Sequence, residues 1–181
     1  MREIKRREHS KRIERTAYHE AGHAVASYHL HVAFSFITII PEEDSLGHIK
    51  HPKLNNFDPE CDNSLKIVDR TERRILVFFA GQVAERRFAN RHNWKGSGGD
   101  WESAVNLASC LAGNNEVLQA YVNYLWARAK NLFDLPWLWA AVEAVANELL
   151  IRKKMGSQLT RKIIRKAMDD YRQLIYSKKR R

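Results

Sequence analysis

Cysteine is scarce: the 181 residues hold two, Cys61 and Cys110, and they form no CxxC pair. That excludes a disulfide framework and CxxC chemistry, and both read as free thiols in a reducing compartment. Long apolar runs are also missing. The longest apolar stretch, LPWLWAAVEAVANELL (135–150), carries Glu143, Asn147 and Glu148. It is too short to span a bilayer, so no transmembrane segment is expected. No apolar h-region follows the charged start, which argues against a signal peptide. The sequence contains no GxxxxGK(S/T) phosphate loop, so it offers no means of using ATP. Together these absences predict a soluble, cytoplasmic protein.

What is present suits one domain with a real hydrophobic core, since 44% of the residues are apolar. The net charge of +10 is unevenly spread. Residues 1–16 carry +4 and residues 152–181 carry +10, which leaves −4 for the body between them. Basic ends can meet nucleic acid or acidic lipid, but the aromatic residues of the C-terminal segment are only Tyr171 and Tyr176. The sequence therefore favours solvated helix faces and tails over a nucleic-acid interface.

Periodicity predicts a mainly helical α+β chain with one small β-hairpin or sheet. Residues 1–15 alternate charged and apolar residues and read as a basic, exposed lead-in helix. From Thr16 to His31, Ala17, Ala21, Ala24, Val25 and Tyr28 recur at helical spacing. AFSFITII (33–40) is β-branched and aromatic and ends at Pro41, which predicts a strand; a turn at Asp44–Gly47 and a short return strand in HIKHPKL follow. Further helices are predicted over 66–90, where Gly81 marks a close approach, and over 101–113, 116–133, 136–154 and 158–176. A glycine-rich loop, KGSGGD (95–100), opens the second of these.

The chemistry concentrates in TAYHEAGHAV (16–25), an HExxH motif. Residues four apart share a helix face, so His19 and His23 can direct imidazole nitrogens at one metal ion. Glu20 stands about 100° round the helix, beside such an ion, where it can take a proton from activated water. Gly22 costs about 1 kcal/mol against alanine inside a helix, which implies that something approaches the backbone there.

A third ligand has to come from elsewhere. His29 has the spacing of the HExxHxxGxxH pattern, but a straight helix carries it about 15 Å along the axis from His19. The glycine that breaks the helix in that pattern is here Ala26. Glu42 and Glu43 follow a strand and Pro41 instead of standing on a second helix. Asp100, where GSGG turns into a helix, is either an ordinary N-cap or a ligand.

Four segments together resemble the peptidase domain of the FtsH family of ATP-dependent zinc proteases. AYHEAGHAV (17–25) is similar to that family's zinc helix, and FITIIPEEDSLGHIK (36–50) to its strand-and-glycine segment beside the site. FFAGQVAERRF (78–88) resembles its GGRAAEE helix, with Gly81, Ala84 and Glu85 kept. GSGGDWESAVNLA (96–108) resembles its GASNDIERAT segment. The resemblance covers about 16–170 and thins after residue 113.

The resemblance implies a zincin-like metallopeptidase domain over 16–176, between the lead-in (1–15) and a basic tail (177–181). It implies Zn2+ held by His19, His23 and Asp100, with Glu20 as general base. The strand Phe36, Ile37, Thr38, Ile39 and Ile40, near Gly47, is either a plain core strand or an edge to which an extended peptide or unfolded protein adds as a further strand. The family's membrane anchor and ATPase module have no counterpart in these 181 residues. A separate ATPase or self-association is therefore a possible partner, and an FtsH-like scaffold or adaptor without relevant proteolysis is the alternative.

Overall fold

The computed structural model describes residues 2–41, 47–51, 57–62, 64–90 and 98–179, with side chains from 8 to 178. Six helices carry most of it: α1 (Arg2–His29), α2 (Leu65–Ala89), α3 (Gly98–Ser109), α4 (Asn115–Asp134), α5 (Pro136–Arg152) and α6 (Ser157–Lys179). Three short strands, β1 (Phe36–Thr38), β2 (His48–Lys50) and β3 (Lys154–Gly156), form an antiparallel sheet in the order β2-β1-β3. The expected class, mainly helical with a small sheet, is what the chain adopts. Among the described residues, no helix is long and apolar enough to cross a membrane.

The N-terminal lead-in and the HExxH segment are one continuous helix, because no proline or glycine interrupts residues 2–21. In α1, Ala17, Ala21, Ala24 and Val25 are fully buried. Gly22 is the closest point of the α1–α2 crossing: a Cβ there would lie 2.5 Å from the Ala80 carbonyl oxygen and 2.6 Å from the Ala84 Cβ. Small residues on both helices let the two backbones meet. α5 is apolar on most of its circumference, with Leu138, Ala141, Val142, Val145, Ala146 and Leu149 buried, and it packs against α1 and α6. Leu135 ends α4 in an extended conformation, and Pro136 opens α5 in its first turn, where the missing N–H costs nothing.

The sheet departs from expectation in two ways. The strand predicted over 33–40 is regular only over Phe36–Thr38; beyond it the Ile39 N–H donates to the Lys153 carbonyl and the Ile40 N–H to Thr38 Oγ1. The third strand is new. α5 stops at Arg152 because Lys153 takes φ 66°, its N–H capping Leu149, and the chain turns into Lys154–Gly156. Lys-Met-Gly carries no strand signature, so the sequence reads as helix to 154.

That third strand corrects the substrate-edge expectation. β1 is the central strand, with Ile37 facing Ile49 of β2 on one side and Met155 of β3 on the other. Phe36–Thr38 therefore offers no free edge to an incoming peptide. Ile37, Thr38 and Ile39 are buried, while Phe36 is half-buried and Ile40 exposed. The outer edges of the sheet belong to β2 and β3. The predicted turn at 44–47 lies outside the described residues except for Gly47, as do Glu42, Glu43, the loop 95–97 and the end of the basic tail.

Candidate metal centre

His19 and His23 stand one turn apart on α1 and face α2 and the first turn of α3. Asp100 is the third residue of α3, which begins at Gly98, so it lies inside the helix and is not its N-cap. Asp100 Oδ2 lies 2.9 Å from His19 Nε2 and 3.1 Å from His23 Nε2, and the two Nε2 atoms are 3.0 Å apart. Three donors thus form a triangle about 3 Å on edge. Zinc ligands at about 2.0–2.2 Å in tetrahedral array stand about 3.3 Å from one another, so the triangle fits such an ion. Among the described residues, no other group of three His, Cys, Asp or Glu side chains converges this way. His29 is not part of the group.

The outer atoms of both imidazoles are held. His23 Nδ1 lies 2.7 Å from the Val77 carbonyl oxygen. A carbonyl only accepts, so Nδ1 carries a hydrogen, and Nε2 is the nitrogen turned to the centre. His19 Nδ1 likewise donates to Glu85 Oε2 at 3.2 Å. Glu85 is held in turn by the Arg15 guanidinium, whose Nε lies 2.9 Å from Oε1. Sequence reasoning saw Glu85 only as a matched motif position and placed Arg15 in the lead-in. The i to i+4 step from Arg15 to His19 puts both on one face of α1, which is the signal that was available.

Gly81 explains how α2 fits beneath the rings. A Cβ there would lie 2.4 Å from His23 Nε2 and 2.8 Å from His19 Nε2, inside the space the donors need. Asp100 is carried in by α3, whose next residue, Trp101, packs its ring 5.2 Å from Phe79 and 5.7 Å from Trp126. The Asp100 side chain remains 27% exposed, so the centre opens to solvent on that side.

Electrostatics mark the cluster as a place for a cation. Burial opposes protonation of His19, but hydrogen bonds to Asp100 and Glu85 outweigh it and hold the imidazole up to about 10. Burial likewise opposes protonation of His23, and the Asp100 charge overcomes it. Burial pushes Asp100 up, yet the two histidines outweigh it and hold the carboxyl well below the usual range. Glu20 behaves differently: burial raises it, against the lowering effect of His23 and His19. It is 3% exposed, and its Oε2 is buried with no hydrogen-bond partner. A buried carboxylate oxygen left unpaired costs about 1–3 kcal/mol or more, which marks it as waiting for a polar group.

The sequence model of peptidase family M41 matches residues 6–113, well over half of the chain. Relatives similar to it include the ATP-dependent zinc metalloprotease FtsH of Rickettsia felis, 33% identical over 113 residues, 61% of this chain and 16% of that protein. FtsH of Haemophilus influenzae is 34% identical over 101 residues, 54% of this chain and 15% of that protein. The rat ATP-dependent zinc metalloprotease YME1L1 is 32% identical over 96 residues, 51% of this chain and 13% of that protein. The chain thus spans less than a fifth of the length of these curated relatives.

Proposed function

Because the chain belongs to peptidase family M41, whose matched relatives are named zinc metalloproteases, we propose that it is a zinc-dependent endopeptidase acting on peptides or unfolded proteins. His19, His23 and Asp100 hold the metal, and Glu20 is the general base. The observation that carries this reading is the unpaired, buried Glu20 Oε2 beside three converging donors. The Gly81 backbone, which leaves the two Nε2 atoms room, supports the fit.

When bound, a zinc ion supplies Lewis acidity, lowering the pKa of water toward 7 and polarising a carbonyl. The protein's own residues do the rest. Glu20 takes the proton of the attacking water at Oε2 and passes it to the leaving amine. Glu85 and the Val77 carbonyl hold the imidazoles in the tautomer that presents Nε2.

The substrate backbone runs along the outer edge of β2. Gly47, which leads into β2, is pressed against the base: a Cβ there would lie 2.8 Å from Thr16 Cγ2 and from the Thr38 carbonyl oxygen, and 3.2 Å from Glu20 Cγ. Phe36, Ile37, Thr38, Ile39 and Ile40 then serve by holding β2 in place, with the partly exposed Phe36 and Ile40 still able to touch a bound chain.

The test is cleavage of an unstructured peptide by the wild type, with and without a chelator, and by Glu20→Gln. The substitution keeps size and polarity while removing the base, so zinc content and melting temperature hold and the rate falls by about 10²–10⁴-fold. Equal rates at equal zinc content would overturn the mechanism. A wild type that binds zinc but cleaves nothing would favour the scaffold reading.

A further inference from the structure

One face of the sheet, covered at Thr38 and open at its lysines, carries an unusual pairing of charge with an aromatic ring. Side chains alternate along strands, and residues directly opposite share a face. The register therefore puts Phe36, Thr38, His48, Lys50 and Lys154 on one side, while Ile37, Ile49 and Met155 point to the other. Lys154 Nζ stands 4.1 Å from the centre of the Phe36 ring and Lys50 Nζ 5.9 Å, and the His48 ring crosses its edge at 5.4 Å. Both lysines are exposed, and neither forms an ion pair with a described carboxylate. The result is a small apolar floor under two ammonium groups.

This face begins at the catalytic centre. His48 follows Gly47 directly, and a Cβ on Gly47 would lie 3.2 Å from Glu20 Cγ. A peptide paired with the outer edge of β2 would present alternate side chains to the same face as His48 and Lys50. Directly opposite residues there have Cβ atoms about 4.5–5.5 Å apart. A Glu or Asp at such a position reaches the Lys50 ammonium; Lys154, on β3 three strand spacings or about 14 Å from the peptide, leans its ammonium over Phe36 of β1 and adds a weaker, more screened charge.

We propose that this face selects peptides with an acidic side chain at alternate positions along β2, with Lys50 as the specificity-determining residue and Lys154 as its support. The inference rests on the proteolytic reading for the placement of the peptide. Nucleic acid fits less well, since the face offers a single aromatic ring and is three residues wide.

The experiment is a scan of unstructured peptides in which one Glu, or one Lys, is moved through successive positions. Binding is measured by fluorescence anisotropy to zinc-loaded Glu20→Gln, and kcat/KM with the wild type. At every second position Glu should outbind Lys by about threefold to tenfold at low salt, with the difference shrinking at 0.5 M salt. Lys50→Glu, and separately Lys154→Glu, should reduce or reverse that preference while circular dichroism and zinc content stay unchanged. No difference between Glu and Lys at any position, a preference that both variants leave intact, or no peptide binding at all overturns the proposal. So does Lys50-dependent binding of a single-stranded oligonucleotide in place of the peptides. A Lys50-dependent preference in binding without cleavage by the wild type sustains this face and sinks the proteolytic reading. Cleavage without that preference does the reverse.

Discussion

At the scale of single residues, the centre is built from side chains that each have one task, and each task can be removed separately. His19→Ala, His23→Ala and Asp100→Ala should each lose most bound zinc, whereas His29→Ala should keep it, as measured by metal analysis after gel filtration. Retention in Asp100→Ala with loss in His29→Ala would sink the ligand assignment. Glu85 touches no metal but fixes His19, so Glu85→Ala should weaken zinc binding by about 10–100-fold in a chelator competition. Protons compete for the same nitrogens. With His19 held up to about 10, zinc must displace a proton at any pH below that value. Affinity should accordingly rise with pH between 6 and 8, by about tenfold per unit for each proton released. A flat profile would contradict the electrostatics described here. Much of this arrangement was legible in the sequence: helical spacing alone puts His19 and His23 on one face of α1 and Glu20 beside them. Asp100 was not, because spacing left it balanced between cap and ligand and only the family resemblance tipped it.

At the scale of elements, the crossing of α1 and α2 decides whether the centre exists. Gly22 lets α1 press onto Ala80 and Ala84, and this contact brings Gly81, the residue after Ala80, under the imidazoles of His19 and His23. Gly22→Ala gains about 1 kcal/mol of helix propensity. It also forces a methyl within 2.5 Å of the Ala80 carbonyl oxygen, which is backbone and cannot swing aside. Overpacking of this kind costs typically about 1–3 kcal/mol, so the net effect is destabilising by up to about 2 kcal/mol. For a chain of this size that lowers the melting temperature by up to about 8 °C, to be read by calorimetry. An unchanged or raised melting temperature would show that the crossing relaxes more easily than its geometry suggests. The sequence registered the anomaly of a glycine inside a helix, and Gly81 as a close approach, but not what either one meets. The long helices were legible because their apolar periods run over many turns. β1 and β2 were legible too, inside the β-branched run 33–40 and HIKHPKL, though each is shorter than its signal; β3 was not, because Lys-Met-Gly carries too little pattern to outweigh the helix before it.

At the scale of the whole molecule, the chain carries a complete donor set but no phosphate-loop sequence. The purified chain should therefore digest casein or an unstructured peptide at a rate that ATP does not change, and leave a stable folded domain intact. Faster digestion on adding ATP would contradict this. The relatives it matches are several times longer.

Sequence alone determined what depends on neighbours along the chain: the helices, the shared face of His19 and His23, the offset of Glu20, and the family. Helical geometry is local, so residue spacing translates directly into direction. Tertiary structure decided the rest. Asp100 stands 81 residues from His19 and meets it only because α3 packs across α2. Glu85 and Val77 orient imidazoles from 66 and 54 residues away. β1 became the central strand, with β2 and β3 outside it among the described residues, when a strand of three unremarkable residues, Lys154–Gly156, closed over its other side. Contacts across such distances are fixed by how helices and strands pack in three dimensions, and no spacing read along the chain encodes them.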